Sequence, residues 1–188
     1  MKHHLNIVII ALRVILFAAA ILCLFNLVMT YEFITDNNTD AIYSYFREYF
    51  SPLNQTVVGN IDKLGAAYFG PILWLGVGFT LSYTALLIYG MTVIVRFYKC
   101  LLKIEKGQMF YYEQGAEFRK VGGRIIIFAK VKYVLFCLVG ILSYFDITQF
   151  FRQIPQLLLL YLVGKLILIM SYMAEKGEFI KEENELTI

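Results

Sequence analysis

Four long hydrophobic stretches constrain the fold of this 188-residue chain more than any other feature. They cover residues 7–29, 71–95, 131–150 and 156–174, and each is close to the roughly 20 residues that a helix needs to cross a bilayer. Lipid offers no hydrogen bonds to the backbone, so a spanning segment must be a helix or part of a closed barrel. These stretches are continuously apolar and lack the alternation of a barrel strand. We therefore predict one all-α, polytopic membrane domain over residues 1–188, with four transmembrane helices.

The composition agrees with this class of protein. Hydrophobic residues make up 60% of the chain and charged residues only 16%, whereas a soluble domain carries about 25% charged residues. A soluble domain of this size has no core large enough to bury so many hydrophobic side chains. Membrane lipids are therefore the first expected partners.

The distribution of lysine and arginine predicts the orientation in the membrane. Twelve of these residues lie at the N-terminus, in segment 96–132 or in the tail, whereas three lie on the opposite side. Cytoplasmic segments carry the excess, so both termini, the loop 96–130 and the tail 175–188 should be cytoplasmic. The net charge of +3 reflects this bias, so we predict no direct binding of nucleic acid.

The outer loop, residues 30–70, contains a predicted amphipathic helix at about 40–51. Its hydrophobic side chains recur at helical spacing: Ile42, Tyr43, Phe46, Tyr49, Phe50 and Leu53. This pattern favours a helix that lies on the outer membrane surface with its aromatic rings among the headgroups. The alternative is a helix that covers the mouth of a cavity.

Small residues recur every four positions in the second span, at Gly76, Thr80 and Thr84, with Gly78 and Ser82 in the same register. Such rows let helix backbones approach closely in a membrane. We therefore predict helix packing along this span. A polar pathway is the alternative.

A basic face follows the second span. Arg96, Lys99, Lys103 and Lys106 recur at i, i+3, i+7 and i+10, so a helix continued beyond the span places them on one side. Anionic lipid headgroups attract such a face. An acidic protein partner is the alternative.

Several local features predict where helices begin, bend and end. Gly107 should end the helix that carries the basic face, and Glu113 should lie in the first turn of the next helix, where a carboxylate favours the helix dipole. The pair Gly122-Gly123 should bend that helix. A short turn containing Arg152 and Pro155 should connect the third span to the fourth.

A short motif occurs twice, as Glu105-Lys106-Gly107 and as Glu175-Lys176-Gly177, each directly after a long hydrophobic run. At the same offset of 70 residues, four further positions correspond: Phe110 to Ile180, Glu113 to Glu183, Gln114 to Asn184, and Phe118 to Ile188. Two copies must agree in spacing and in position, so a repeat is better evidence than one short motif. The repeat predicts two similarly oriented helix pairs, each closed by a Glu-Lys-Gly motif. Such pairs can close one bundle or pair with a second chain, so the oligomeric state stays open.

Three ionisable residues lie within the predicted spans: Arg13, Asp146 and Lys165. A charge at the bilayer centre costs about 2.5 to 3.5 kcal/mol, so each is a candidate functional residue. Arg13 lies near enough to the inner surface to extend towards it. Lys165 lies near the middle of its span, where three interpretations are open: an ion pair with Asp146, a lysine that lines a water-filled cavity for an anionic ligand, or a neutral buried lysine.

No pattern in the sequence predicts an enzyme. There is no metal-ligand cluster, no phosphate-binding loop and no Gly-x-Ser-x-Gly motif, and the only histidines are His3 and His4. Cys23, Cys100 and Cys137 are too far apart in sequence to suggest a metal site or a redox pair. We expect no catalytic residues, no metal and no cofactor.

The segments after the second and fourth spans resemble a bacterial membrane-protein family known only as domain of unknown function (DUF) 2975. Two parts carry the resemblance: Gly107-x-x-Phe110-x-x-Glu113-Gln114 with Phe118-Arg119-x-x-Gly122, and the end Glu183-Asn184-Glu185-Leu186-Thr187-Ile188. Glu185 stands where the family usually has Asp, and Gln114 where it usually has Asn. The resemblance covers nearly the whole chain and implies a four-helix protein of the bacterial inner membrane. It also implies a partner, because genes of this family often lie beside one for a small helix-turn-helix regulator.

The leading hypothesis is a non-enzymatic regulatory or interaction protein that acts through its cytoplasmic loop and tail, and sequesters such a regulator. Its candidate partner-binding residues are Phe110, Glu113, Gln114, Glu183, Asn184, Leu186 and Thr187. The structural alternative is that Phe110 and Ile180 anchor at the membrane interface while Glu113 and Glu183 cap helices. The second hypothesis is a small transporter or receptor for a lipid or an anionic ligand, with Lys165, Asp146 and Arg13 lining a cavity.

Overall fold

The structure is a computed structural model that describes residues 2–36, 42, 44–45, 70–106, 113–144 and 148–186. These residues contain four long helices: α1 (Lys2–Asp36), α2 (Gly70–Glu105), α3 (Gln114–Tyr144) and α4 (Thr148–Leu186). Each helix includes a stretch that is long and apolar enough to cross a membrane. The prediction of a helical chain with four such stretches is confirmed. The orientation and the membrane limits stay predictions.

The helices extend beyond the predicted spans. α2 continues past residue 95 to Glu105, as the basic face predicted, and α3 begins at Gln114 and passes through Gly122-Gly123 without interruption. Most of the predicted inner loop, 96–130, is therefore helical. Of the predicted outer helix at 40–51, residues 42, 44 and 45 lie within the described ranges, and all three are helical.

The predicted turn at Arg152 and Pro155 is wrong. Both residues lie inside α4, which begins at Thr148. Proline has no backbone N–H, so Pro155, the eighth residue of α4, cannot donate the usual helical hydrogen bond to the Phe151 carbonyl, yet the helix continues through it. α3 ends at Tyr144, so the connection consists of residues 145–147, which lie outside the described ranges.

The helices contribute to two compact units. The first unit comprises Met1–Ala20, Ile88–Lys130 and Gln156–Ile188, and the second comprises Ile21–Leu87 and Val131–Pro155. Each unit has its own buried side chains and is considered separately.

Aromatic rings fill the core of the second unit. Phe33, Tyr45, Phe79 and Phe136 are buried. The rings of Phe79 and Phe136 meet edge to face with their centres 5.4 Å apart, and Tyr45 lies edge to face with Phe33 at 5.7 Å. Such pairs contribute beyond the area that they bury.

A buried hydrogen-bond network joins α1 and α2 in the same unit. The Thr30 hydroxyl donates to the Thr80 hydroxyl at 2.8 Å, and the Tyr45 hydroxyl donates to the side-chain oxygen of Asn26. The Asn26 amide in turn donates to the Leu22 carbonyl at 2.7 Å. These bonds satisfy polar groups that neither lipid nor an apolar core could satisfy.

The packing role predicted for Gly76, Thr80 and Thr84 is confirmed, since all three are buried. A Cβ atom at Gly76 would lie 3.1 Å from Ile42 and 3.5 Å from Phe33. Gly78 and Ser82, placed in the same register, instead lie on the exposed side of α2.

The first unit depends on a close approach of α3 and α4. A Cβ atom at Gly122 would lie 2.9 Å from the Gly164 carbonyl oxygen, and one at Gly164 would lie 2.6 Å from the Ile126 side chain. Beside this crossing lies a buried cluster: Val93, Cys100, Phe118, Val121, Ile167 and Ala174. The cluster draws side chains from α2, α3 and α4, so the crossing fixes how these three segments pack.

The two Glu-Lys-Gly motifs differ in structure. The first ends α2 at Glu105, with Lys106 in a turn, whereas the second lies wholly inside α4. The second copy therefore does not end its helix, and the arrangement of two similarly oriented helix pairs stays a prediction. A glycine costs a helix about 1 kcal/mol relative to alanine, which good helix formers around it can offset. Four of the eleven residues after Gly177 are glutamates, which are good helix formers.

The adjacent glycines of α3 provide a matched test of the crossing. We expect Gly122→Ala to lower the free energy of unfolding by about 1 to 3 kcal/mol, because its methyl group meets backbone that cannot yield easily. Gly123→Ala should be neutral or stabilising, because a Cβ atom there meets nothing within 4 Å and alanine favours the helix. Denaturant unfolding in mild detergent would measure both. Equal effects would contradict the proposed close approach.

Candidate functional site

A basic groove lies in the first unit, where α2 ends and α3 begins. Seven residues line it: Arg96, Lys99, Cys100, Lys103, Glu117, Lys120 and Val121. Its volume is about 270 Å³. We call it the α2–α3 groove.

Helix periodicity explains how the groove obtains its charge. Arg96, Lys99 and Lys103 lie on one face of α2 because they are three and four residues apart. Glu117 and Lys120 share a face of α3 in the same way. Cys100 and Val121 are buried, whereas Arg96, Lys99 and Lys120 are exposed, so the groove has an apolar floor and a charged rim.

One carboxylate organises one end of the groove. The Lys103 ammonium donates to both oxygens of Glu117, at 3.0 and 3.2 Å, and the Cys100 thiol lies 3.4 Å from one of them. The Lys103 and Glu117 side chains are 42% and 36% exposed, so water screens the pair and its contribution to stability is at most about 1 kcal/mol. Its main effect is to hold Lys103 against α3.

The other cations of the groove have no such partner. Among the residues that the structure describes, no carboxylate lies within ion-pair distance of Arg96, Lys99 or Lys120. Among the described residues that line the groove, four are cationic and one carries a carboxylate. This excess of positive charge makes the groove a candidate site for an anion.

Two polar contacts join α4 to the start of α3. The Ser171 hydroxyl donates to the Gly115 carbonyl at 2.6 Å, and the Arg119 guanidinium pairs with the Glu175 carboxylate. A Cβ atom at Gly115 would lie 2.2 Å from the Glu175 side chain, so the two helices touch here. Glu175 is the first residue of the second Glu-Lys-Gly motif, and this contact fixes the point from which α4 continues to Leu186.

Glu113 and Gln114 lie at the beginning of α3. Glu113 is exposed and has a φ of 68°, and its carbonyl accepts a hydrogen bond from the Glu117 N–H at 2.9 Å. It therefore precedes the first turn rather than lying within it, and Glu117 supplies the first-turn carboxylate. Gln114 is 5% exposed, and its side-chain oxygen is buried without a hydrogen-bond partner. In this conformation Gln114 does not present its amide to a protein partner.

The other candidate partner-binding residues lie near the end of the described chain or beyond it. Glu183, Asn184 and Leu186 belong to the last turns of α4, for which the structure describes the backbone. Phe110 and Thr187 lie outside the described residues.

Of the three ionisable residues predicted to lie within the membrane spans, the structure describes Arg13 and Lys165, and each has its own aromatic neighbour. Lys165 is exposed on α4 rather than buried, and its ammonium lies 5.5 Å from the centre of the Tyr161 ring. Arg13 donates two hydrogen bonds to the Tyr98 hydroxyl, at 3.0 and 2.7 Å. Asp146 lies outside the described residues, so its pairing with Lys165 stays a prediction.

Sequence reasoning did not identify the Glu117 or Glu175 contacts. Lys103 and Glu117 are 14 residues apart across a helix connection, and Arg119 and Glu175 are 56 residues apart. No local periodicity reports contacts at such separations. One clue lies in the spacing of Glu117 and Lys120, which are three residues apart. Once α3 is known to begin at Gln114, this spacing places both on the same face of the helix.

Comparison with protein families, curated proteins and solved structures finds no match to this chain. The resemblance to the DUF2975 family therefore stays a prediction. Within the described ranges, no three His, Cys, Asp or Glu side chains are grouped so that they could hold a metal ion.

The positive φ of Glu113 predicts how substitutions there will behave. Glycine adopts this conformation freely, whereas a β-branched residue pays about 1 to 2 kcal/mol. Glutamate already bears much of this cost, so we expect Glu113→Gly to keep or slightly raise the stability of the protein and Glu113→Val to lower it by up to about 1 kcal/mol, as measured by denaturant unfolding in detergent. Asparagine tolerates the left-handed region and should fall between them. If the valine and glycine variants proved equally stable, the backbone at residue 113 would not have a positive φ.

Proposed function

We propose that this chain is a multi-pass protein of the bacterial inner membrane, with both termini in the cytoplasm, and that it is a non-enzymatic interaction protein. The four apolar helices support membrane insertion, and the excess of lysine and arginine on one side supports the orientation. The proposed working surface is the end of α4, together with the α2–α3 connection.

The continuation of α4 carries this proposal. The helix extends twelve residues beyond Ala174, which is about 18 Å at 1.5 Å per residue. Phe179 and Ile180 are 58% and 57% exposed on this extension. The surrounding sequence has five glutamates and two lysines between residues 175 and 186. The extension is therefore an acidic helix with an exposed apolar pair, the kind of element that docks in an apolar groove with a basic rim.

The proposed partner is a small helix-turn-helix regulator, which the family resemblance suggests. DNA-binding proteins carry a basic surface for phosphate contacts, and the acidic extension is complementary to such a surface. DNA itself is a poor partner for the extension, since its phosphates would be repelled. A regulator held by this helix would be kept at the membrane and away from its operator.

A crosslinked pull-down from the native host tests the proposal. The first variant ends at Gly177, so that it loses the exposed pair but keeps the Glu175 contact with Arg119. The second is the double substitution Phe179→Ser and Ile180→Ser. We expect both to reduce recovery of the regulator about tenfold or more, because burial of two large apolar side chains is lost.

The control is Phe151→Ser, which changes an aromatic residue that is still more exposed, near the beginning of the same helix. It should leave recovery unchanged. If the control reduced recovery as much as the double variant, or if neither truncation nor substitution reduced it, the extension would not be the docking element.

A transporter or receptor that uses Lys165 is the alternative proposal, and the contacts favour it less. Lys165 lies exposed beside Tyr161, and Arg13 is engaged by Tyr98. Lys165→Met should leave capture of the regulator intact. Loss of uptake or binding of an anionic ligand in liposomes containing this variant would instead support the transporter.

A further inference from the structure

We propose that the α2–α3 groove binds a phosphate group. This proposal goes beyond the docking function of α4 and does not rest on it, since it concerns different residues. Four observations carry it: the shape of the groove, its unpaired charge, the position of its one carboxylate, and the types of cation on its rim.

The shape suits a small anion. At about 270 Å³, the groove lies below the usual range for drug-sized ligands but has room for a phosphate group and its attached oxygen or glycerol. The buried Cys100 and Val121 form its floor and exclude water from one side. A charge placed on this floor interacts with the surrounding cations more strongly than it would in bulk water.

The excess positive charge of the groove favours an anion. Arg96, Lys99 and Lys120 converge from two helices, and in the described part of the chain none of them pairs with a carboxylate. Like charges held close together destabilise the fold unless an anion lies among them. A phosphate group with one or two negative charges offsets this repulsion.

The single carboxylate defines where the anion lies. Glu117 binds Lys103 through both oxygens and so neutralises that end of the groove. It would also repel a bound anion. The phosphate therefore lies towards Arg96, Lys99 and Lys120, away from Glu117.

The rim offers the donors that phosphate prefers. The guanidinium of Arg96 can bind two phosphate oxygens at once, and the ammonium groups of Lys99 and Lys120 act as point charges around them. A lipid headgroup and a free phosphate ion share this chemistry. The position of the basic residues after an apolar span is also one at which anionic headgroups lie.

Two ligands distinguish the sources. The purified protein would be placed in phosphatidylcholine nanodiscs at constant ionic strength, with either phosphatidic acid in the bilayer or inorganic phosphate in solution. The rise in melting temperature with ligand concentration gives the apparent affinity, and native mass spectrometry counts bound lipid. A response to phosphatidic acid alone supports a headgroup site, and a response to inorganic phosphate supports a site for the free ion.

The double variant Arg96→Gln and Lys120→Gln should weaken binding about tenfold or more. The matched control, Lys106→Gln with Lys130→Gln, removes the same charge from exposed residues that do not line the groove. It should change the affinity little. Equal weakening by both pairs would show a diffuse surface charge and overturn the proposal, as would failure of the unmodified protein to bind either ligand.

The variant Glu117→Gln provides a test in which the expected result is tighter ligand binding rather than weaker binding. It removes the repelling carboxylate and frees Lys103, so binding should become several-fold tighter even if the ligand-free protein melts at a lower temperature. A purely structural Glu117 would give lower stability without a gain in affinity. Weaker binding by this variant would overturn the proposal.

Discussion

The close approach of α3 and α4 at Gly122 and Gly164 is the contact on which the first unit depends. Membrane helices gain little from burial of apolar surface, so they associate through tight packing and polar contacts. Because neither position has a side chain, the backbones of α3 and α4 can pack tightly here and come close enough for polar contacts nearby. Seven residues away on each helix, Gly115 and Ser171 form the next contact, a hydrogen bond of 2.6 Å. Seven residues are close to two helical turns, so both contacts lie along one seam.

The seam determines what can lie beside it. Glu175 reaches Arg119 only because Ser171 and Gly115 bring the helices together one turn earlier. From that point α4 continues with no described contact to a neighbouring helix, and its apolar pair stays exposed. The other side of α3 meets α2, where Glu117 binds Lys103 and where, among the described residues, Arg96, Lys99 and Lys120 pair with no carboxylate. The helix α3 thus contacts α4 on one side and lines the basic groove on the other.

The fold was largely predictable from the sequence, because bilayer thickness and backbone hydrogen bonding allow few solutions. Hydrophobic run length predicted four helices but not their ends, as α4 shows: Arg152 and Pro155 suggested a turn, yet both are helical. A similar ambiguity affected Gly122-Gly123, which was interpreted as a bend. Only the position of α4 shows that Gly122 contacts a neighbouring helix and that Gly123 does not.

The candidate site was less predictable, because its contacts join residues that are distant in sequence. The basic face of α2 was visible from spacing alone, but Glu117 and Lys120 complete the groove from another helix. The polar network around Asn26 and Tyr45 likewise depends on tertiary contacts. Residue spacing along one helix shows which side chains share a face of that helix. Which residues contact that face depends on how two helices cross, and spacing does not report this.

The different environments of the two motif copies bear on what the repeated residues do. Glu113 and Gln114 begin a helix, one with a positive φ and the other with a buried amide, so their positions are explained by the backbone that they support. Their counterparts Glu183 and Asn184 lie within a helix that has already passed its own Glu-Lys-Gly motif. Glu183 and Asn184 lie in the last turns of α4, where a residue cannot cap the beginning of a helix, so the structural explanation does not transfer from the first copy to the second. Of the two sets, the residues of α4 are therefore the better candidates for contact with a partner.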